Sequence, residues 1–199
     1  VIWPLGDALP PTAIIGRLRD FGRKSDFSRE RVCLNDPIRS VLKILRPQLE
    51  LQNIKVVLDL ADGLPPVRAH HNRIEQVIFN LLTNARDAVN QKAGAGNDKF
   101  ERRIDIRTDS RDGHALVTVS DTGCGIPEEV KAKIFEAFFT TKEMGEGMGL
   151  GLSISSGIVE DYRGAIRVHS ELGRGTSFRL SFPVVPPGDS PTSPAFTVS

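Results

Sequence analysis

In the stretch FNLLTNARDAV (residues 79–89), Asn80 and Asn84 stand four residues apart and Asp87 follows three later. On a helix of 3.6 residues per turn, that spacing gathers the three side chains into one narrow stripe. Two carboxamides and a carboxylate in line offer oxygen ligands and hydrogen-bond donors. Such a set suits a hard cation like Mg²⁺, which takes one or two protein oxygens and fills its shell with phosphate and water. The plain alternative is a solvated helix flank. Next to the stripe, Ile74, Val77, Ile78, Leu81, Leu82, Ala85, Ala88 and Val89 follow the i, i+3, i+4, i+7 template of a core-facing helix. The stripe is therefore expected at the rim of the core.

Glycine-bearing segments downstream offer complementary chemistry. In SDTGCGIP (120–127), Asp121 ends a strand and Gly123 and Gly125 follow. Taken alone this is an Asp-Gly turn; functionally, Asp121 would accept from the exocyclic amine of a purine, with the glycines letting the base approach the backbone. GEGMGLGLSI (145–154) alternates Gly145, Gly147, Gly149 and Gly151 and then opens a helix. Glycine-rich backbone at a helix N-terminus presents unpaired N–H groups and a dipole that favour phosphate. It is neither a Walker loop nor a dinucleotide fingerprint. IFEAFFTTKE (134–143) sets three phenylalanines around Thr140, Thr141 and Lys142, and ELGRGTSFRL (171–180) is a turn feeding a strand with Thr176 at its start. Core packing accounts for the phenylalanines, and Lys142 is either solvated or near a phosphate.

The elements that must position these residues follow from periodicity. TAIIGRLRDFGRK (12–24) has one helical apolar face, and SDFSRER reads as a linker. RVCL is a short strand, and Asp36 is expected to cap a helix with Pro37 at its first position and Pro47 kinking or locally weakening it. IKVVLDL (54–60) is a strand, and NRIEQVIFNLLTNARDAVNQ is a long helix closed by KAGAGND. RRIDIRTDS and HALVTVSD alternate around Asp112-Gly113, a hairpin signature. A loop-rich region from Gly123 to Gly149 leads to the helix LGLSISSGIVEDY. A last hairpin, GAIRVHSE with GTSFRLSFPV, precedes a tail from Pro186 that is expected to be disordered. About five strands, arranged in hairpins, and three main helices predict an α+β two-layer sandwich with a mixed sheet.

Composition bounds the rest. The chain has 199 residues, one sizeable α/β core with appendages. A formal net charge of +1 gives no argument for nucleic acid or an anionic membrane as partner. No apolar run approaches the roughly 20 residues that span a bilayer. The chain starts without Met and shows no signal peptide, so it reads as a piece of a longer protein. Cys33 and Cys124 match no metal spacing and fit a reducing compartment.

Taken in order, the segments resemble the ATP-binding catalytic domain of sensor histidine kinases. NLLTNARDA looks like the N box, DTGCGI the first glycine box, FEAFFTTK the F box, GMGLGL the second glycine box and GRGTSF the closing glycine-Thr segment. Each is weak alone; the ordered set across residues 72–183 is specific. The resemblance implies the Bergerat α/β sandwich and ATP with Mg²⁺ as ligands. Asn84 would be the principal metal ligand, with Asn80 close to metal and phosphates. Asp121 would hold the adenine amine, supported by Thr176, and Gly123 and Gly125 would shape that pocket. Gly147, Gly149, Leu150 and Gly151 would form the hinge and helix start beside the phosphates, with residues 136–149 as a lid.

The resemblance divides the chain into the end of a dimerisation helix with its linker (1–30), the ATP-binding kinase domain (31–185) and the tail (186–199). It implies a cytoplasmic domain whose parent is a homodimer with a membrane or sensory region upstream. Its partners would be the parent's own phosphoacceptor helix and a response-regulator receiver domain. Asp87 and Ala88 replace the Lys and aromatic of many such kinases, as in the nitrogen- and dicarboxylate-sensor branch, and this removes a cationic phosphate contact. The phosphoacceptor is missing: His70, His71, His114 and His169 are the only histidines, and none stands in a helical His-Glu/Asp context. Two other readings stay open, an ATP hydrolase of the same superfamily and a non-catalytic module switched by nucleotide. The first needs a carboxylate to activate water where this chain has Asn80. The second would tolerate loss of the Asp121 and Asn84 contacts.

Overall fold

Alternating segments become strands and 3.6-period segments become helices in the computed structural model, which describes residues 29–94, 100–141 and 148–186. In chain order these are β1 (Glu30–Val32), α1 (Asn35–Leu51), β2 (Lys55–Asp59), β3 (Val67–Ala69), α2 (His71–Gly94), β4 (Arg103–Arg111) and β5 (His114–Asp121). A short α3 (Glu128–Lys131), α4 (Gly151–Asp161), β6 (Ala165–Glu171) and β7 (Gly175–Pro183) complete the set. Five strands form one sheet in the order β2-β4-β5-β7-β6. β2 runs parallel to β4 and the other pairs are antiparallel. The expected α+β sandwich is therefore what the chain builds, a mixed five-stranded sheet with α1, α2 and α4 on one face.

The two-residue period decides which face is which. Ile104 and Ile106 of β4, Val117 and Val119 of β5, and Phe178, Leu180 and Phe182 of β7 are buried beneath the helices. Their neighbours Arg103, Asp105 and Arg107 lie on the other face, where Arg103 pairs with Asp105 at 2.8 Å and Arg107 with Asp59 at 3.4 Å. α2 closes the core with Ile74, Val77, Ile78, Leu81, Leu82 and Val89, all fully buried. At about 1.5–3 kcal/mol for each such side chain, this burial far outweighs the roughly half a kcal/mol that each mid-helix Asn costs. The helix has stability to spare for its amides. At the β4–β5 turn, Asp112 and Gly113 both take positive φ, 51° and 71°, the geometry of a two-residue turn matched to strand twist.

Three local expectations are corrected or narrowed. α1 begins at Asn35, with Leu34 at the capping position and no side-chain cap, so Asp36 sits inside the first turn. Asn35 is turned inward instead: its Nδ2 donates to the Ala61 carbonyl at 2.9 Å and its Oδ1 accepts from Thr108 Oγ1 at 2.9 Å. The Ala61 N–H closes the ring on Thr108 Oγ1 at 2.9 Å. Second, Pro47 weakens α1 by one bond without ending it, and the helix runs on to Leu51. Pro47 and Lys43, whose carbonyl loses its partner, both face solvent, so water takes over that bond. Third, β3 was not anticipated; it pairs antiparallel with β1, and Val67 bridges to Val184. The expected helical stub (12–24) and the tail from residue 187 lie outside the described residues.

Candidate functional site

α2 carries Asn80, Asn84 and Asp87 half-buried at the core rim, where the periodicity placed them. The Asn80 amide nitrogen donates to the Gly151 carbonyl at 3.1 Å and to Ser155 Oγ at 3.2 Å. Asn80 is thereby fastened to the first turn of α4. That turn begins after Leu150 with no side-chain cap, so its first N–H groups have no intrahelical partner and form a ready anion site. Asn84 lies one turn further along α2, and its side chain bonds to none of the described residues. Asp87 accepts from Nε and Nη2 of Arg86 at 2.9 and 2.7 Å, which offsets its charge.

Asp121 ends β5, and the loop that follows it packs on Ala88 of α2. Asp121 Oδ1 accepts the N–H of Gly123 at 2.8 Å and of Thr176 at 3.3 Å. Burial pushes its carboxyl up from 3.8 to about 6, against the pull of those two N–H groups and of Lys92. Thr176 thus supports Asp121 through its backbone, while its hydroxyl pairs with Ser170 Oγ at 2.9 Å. Gly123 and Gly125 serve the packing of the chain itself. A Cβ at Gly123 would lie 2.6 Å from the Ala88 carbonyl carbon, and one at Gly125, where φ is +74°, 2.2 Å from the Glu171 carbonyl oxygen. The chain's own backbone fills those spaces. The glycines let the loop after β5 press against α2 and β6, with Cys124 N–H reaching the Ala88 carbonyl at 3.2 Å.

Gly149 accepts from the Phe138 N–H at 3.0 Å, joining the phenylalanine segment to the start of α4. Lys142 and Gly147 lie outside the described residues. The structure adds three residues that pattern reading missed. Ser155 and Ser170 are buried hydroxyls holding Asn80 and Thr176 respectively, and Lys92 donates to the Thr122 carbonyl at 2.8 Å, beside Asp121. None of the three carries a sequence signal, since Lys92 stands off the stripe, about 120° round the helix from Asn80.

A metal at this site would have to be held by few protein groups. Among the described residues no three His, Cys, Asp or Glu side chains converge. The available donors are the unpartnered Asn84 amide and the Asn80 carbonyl oxygen. Two neutral oxygens next to an anion-binding helix end fit Mg²⁺, which draws the rest of its shell from phosphate and water.

Uncapped helix end, amide stripe and buried carboxylate, on a mixed sheet covered by helices on one face, define a nucleotide-binding domain. The family model described as "Histidine kinase-, DNA gyrase B-, and HSP90-like ATPase" matches residues 69–186, and the chain belongs to that family. Within it, the chain is of the sensor histidine kinase type. It is 36% identical over 180 residues to "Sensor kinase CckA" of Brucella abortus, covering 86% of this chain and 19% of that protein. It is also 36% identical over 170 residues to "C4-dicarboxylate transport sensor protein DctB" of Rhizobium meliloti, covering 85% of this chain and 26% of the relative. The catalytic domain of histidine kinase ThkA superposes with a TM-score of 0.67 at 31% identity, over 79% of this chain and 97% of that domain. ThkA in complex with response regulator protein TrrA gives 0.66 at 28% identity, over 87% of this chain and 47% of that one. The chain thus spans about a fifth to a quarter of the curated relatives, 19% and 26% of their lengths. Among the described residues, no helix is long and apolar enough to cross a membrane.

Proposed function

We propose that this chain holds Mg·ATP for transfer of the γ-phosphoryl to a histidine on a dimerisation helix of its parent protein. The adenine amine donates to Asp121, whose orientation the Thr176 and Gly123 N–H groups keep. The phosphates lie at the N-terminus of α4, with Gly149, Leu150 and Gly151 at its entrance. Asn84, with Asn80 alongside, would hold Mg²⁺, which would supply charge neutralisation to the phosphates. Catalysis of such a transfer is positioning and electrostatic stabilisation, so the chain's part is to hold the nucleotide in place and keep water from it. From Asn80 to Ala88 the helix advances about 12 Å, which separates the phosphate end of the cleft from the adenine end.

The proposed division is a kinase domain over 31–185 between a dimerisation-helix end with its linker and a C-terminal tail. The parent would be a homodimer with this domain in the cytoplasm, passing its phosphoryl group to a response-regulator receiver; the ThkA–TrrA complex supports that partner by likeness. Nothing in the charge distribution favours nucleic acid.

The observation that carries the reading is the unpartnered Asn84 amide between the uncapped α4 and Asp121. Calorimetry of ADP binding with and without Mg²⁺ tests it. Asn84→Ala is expected to weaken Mg·ADP binding by about tenfold or more and to leave metal-free ADP binding nearly unchanged. Equal Mg²⁺ dependence in variant and wild type would overturn it.

A further inference from the structure

We propose that Ser155 is a positioning residue that, together with the Gly151 carbonyl, holds the Asn80 carboxamide with its oxygen towards the metal. The inference rests on the reading of Asn80 as lying at the Mg²⁺ site. Ser155 is fully buried on the inner side of α4 and makes two bonds that fix its hydroxyl completely. Its proton goes to the Gly151 carbonyl at 2.8 Å, and its lone pair receives the Asn80 amide nitrogen at 3.2 Å. The same amide nitrogen also reaches the Gly151 carbonyl, at 3.1 Å.

A carbonyl oxygen only accepts, so the atom of Asn80 facing it must be the NH₂ group. Ser155 reinforces this. With its hydroxyl proton spent on Gly151, it presents an acceptor to Asn80, and a flipped amide would set oxygen against two oxygens. Both amide hydrogens are thereby engaged by α4, and the planar carboxamide is left with its oxygen as the free end. An amide oxygen is a ligand for a hard cation; the NH₂ end is not. Groups one shell behind a metal ligand fix its orientation in this manner. The triangle Asn80–Gly151–Ser155 also ties the metal-facing amide to the helix whose N-terminus would hold the phosphates, so a shift of α4 turns the ligand.

The test compares the ratio of ADP affinities with and without Mg²⁺ in wild type, Ser155→Ala, Ser155→Cys and Asn80→Ala. Ser155→Cys keeps the buried volume but replaces the hydroxyl by a poor hydrogen-bond partner. Both Ser155 variants are expected to lose about tenfold of the Mg²⁺ enhancement while metal-free ADP affinity holds, a pattern that general loosening of α4 would not produce. A wild-type enhancement in Ser155→Ala, or a loss in Ser155→Ala that Ser155→Cys restores, overturns the proposal and leaves Ser155 a packing residue. If Asn80→Ala itself keeps the full enhancement, the reading of Asn80 falls first and the inference with it.

Discussion

At the residue scale, Asp121 is the side chain whose protonation the fold controls most directly. Burial raises its carboxyl from 3.8 to about 6. A raised acid favours the protonated form in the folded chain, so the ionised group costs stability above about pH 6, and that cost fades as pH falls towards 3.8. Nucleotide binding runs the other way, because an exocyclic amine needs an acceptor and only the carboxylate offers one on both oxygens. ADP affinity is therefore expected to be level above pH 7 and about tenfold weaker at pH 5. Asp121→Asn should bind more weakly, by about 10- to 100-fold for a lost charge-assisted bond, and show no step near pH 6. Calorimetry from pH 5 to 8 decides; a flat wild-type profile would separate Asp121 from the adenine. Asn80, Asn84 and Asp121 stand out in the sequence as candidates because polar groups stand beside or end strict apolar patterns there. Ser155 was not. Its partner Asn80 lies 75 residues away, and a serine among SISS looks the same whether it faces core or water.

At the element scale, the glycines divide between those that let elements meet and those that merely interrupt them. Gly123 is packed against the backbone of Ala88 on α2, whereas Gly157, exposed within α4, has open space where its Cβ would be. Gly157→Ala is expected to stabilise by about 0.5–1 kcal/mol through helix propensity, raising the melting temperature by about 1–4 °C. Gly123→Ala must push the β5–α3 loop off α2 and is expected to cost about 1–3 kcal/mol as an overpacking change. Thermal melts of the two variants check this, and a wild-type melting temperature for Gly123→Ala would refute the close packing. The long elements α2, β4, β5, β6 and β7 were readable because each repeats its period several times. β3 has three residues after Pro65-Pro66, too few to show a period, and its existence depends on pairing with β1. The start of α1 was misplaced because Asn35 makes its bonds to Ala61 and Thr108, long-range partners that outcompete a local cap.

At the scale of the whole molecule, the distribution of histidines separates nucleotide holding from phosphoryl acceptance. His70 is hydrogen-bonded to the Tyr162 hydroxyl at 2.8 Å and His71 to Glu75 at 3.1 Å. His71 opens α2 and His70 directly precedes it, more than two turns before Asn80, roughly 14–15 Å along the helix axis. His114 opens β5 at the turn opposite Asp121, about 23 Å away along the strand, and bonds the Asp112 carbonyl at 2.9 Å. His169 is exposed on β6 next to buried Ser170, hence on the face of the sheet that carries no helices. None stands where a γ-phosphoryl at the α4 N-terminus would meet it. At Asn80 hydrolysis finds no base either, since its amide nitrogen is engaged by Gly151 and Ser155 and a carboxamide does not take a proton from water. This chain with Mg²⁺ and γ-labelled ATP is therefore expected to bind nucleotide, carry no stable label and release phosphate at background rate. Adding a separate dimerisation domain that bears a helical histidine should place the label on that domain, and Asn84→Ala should prevent it. Label retained on this chain alone would move the acceptor into the fold described above, and steady phosphate release would place the chain with the hydrolases of its family instead.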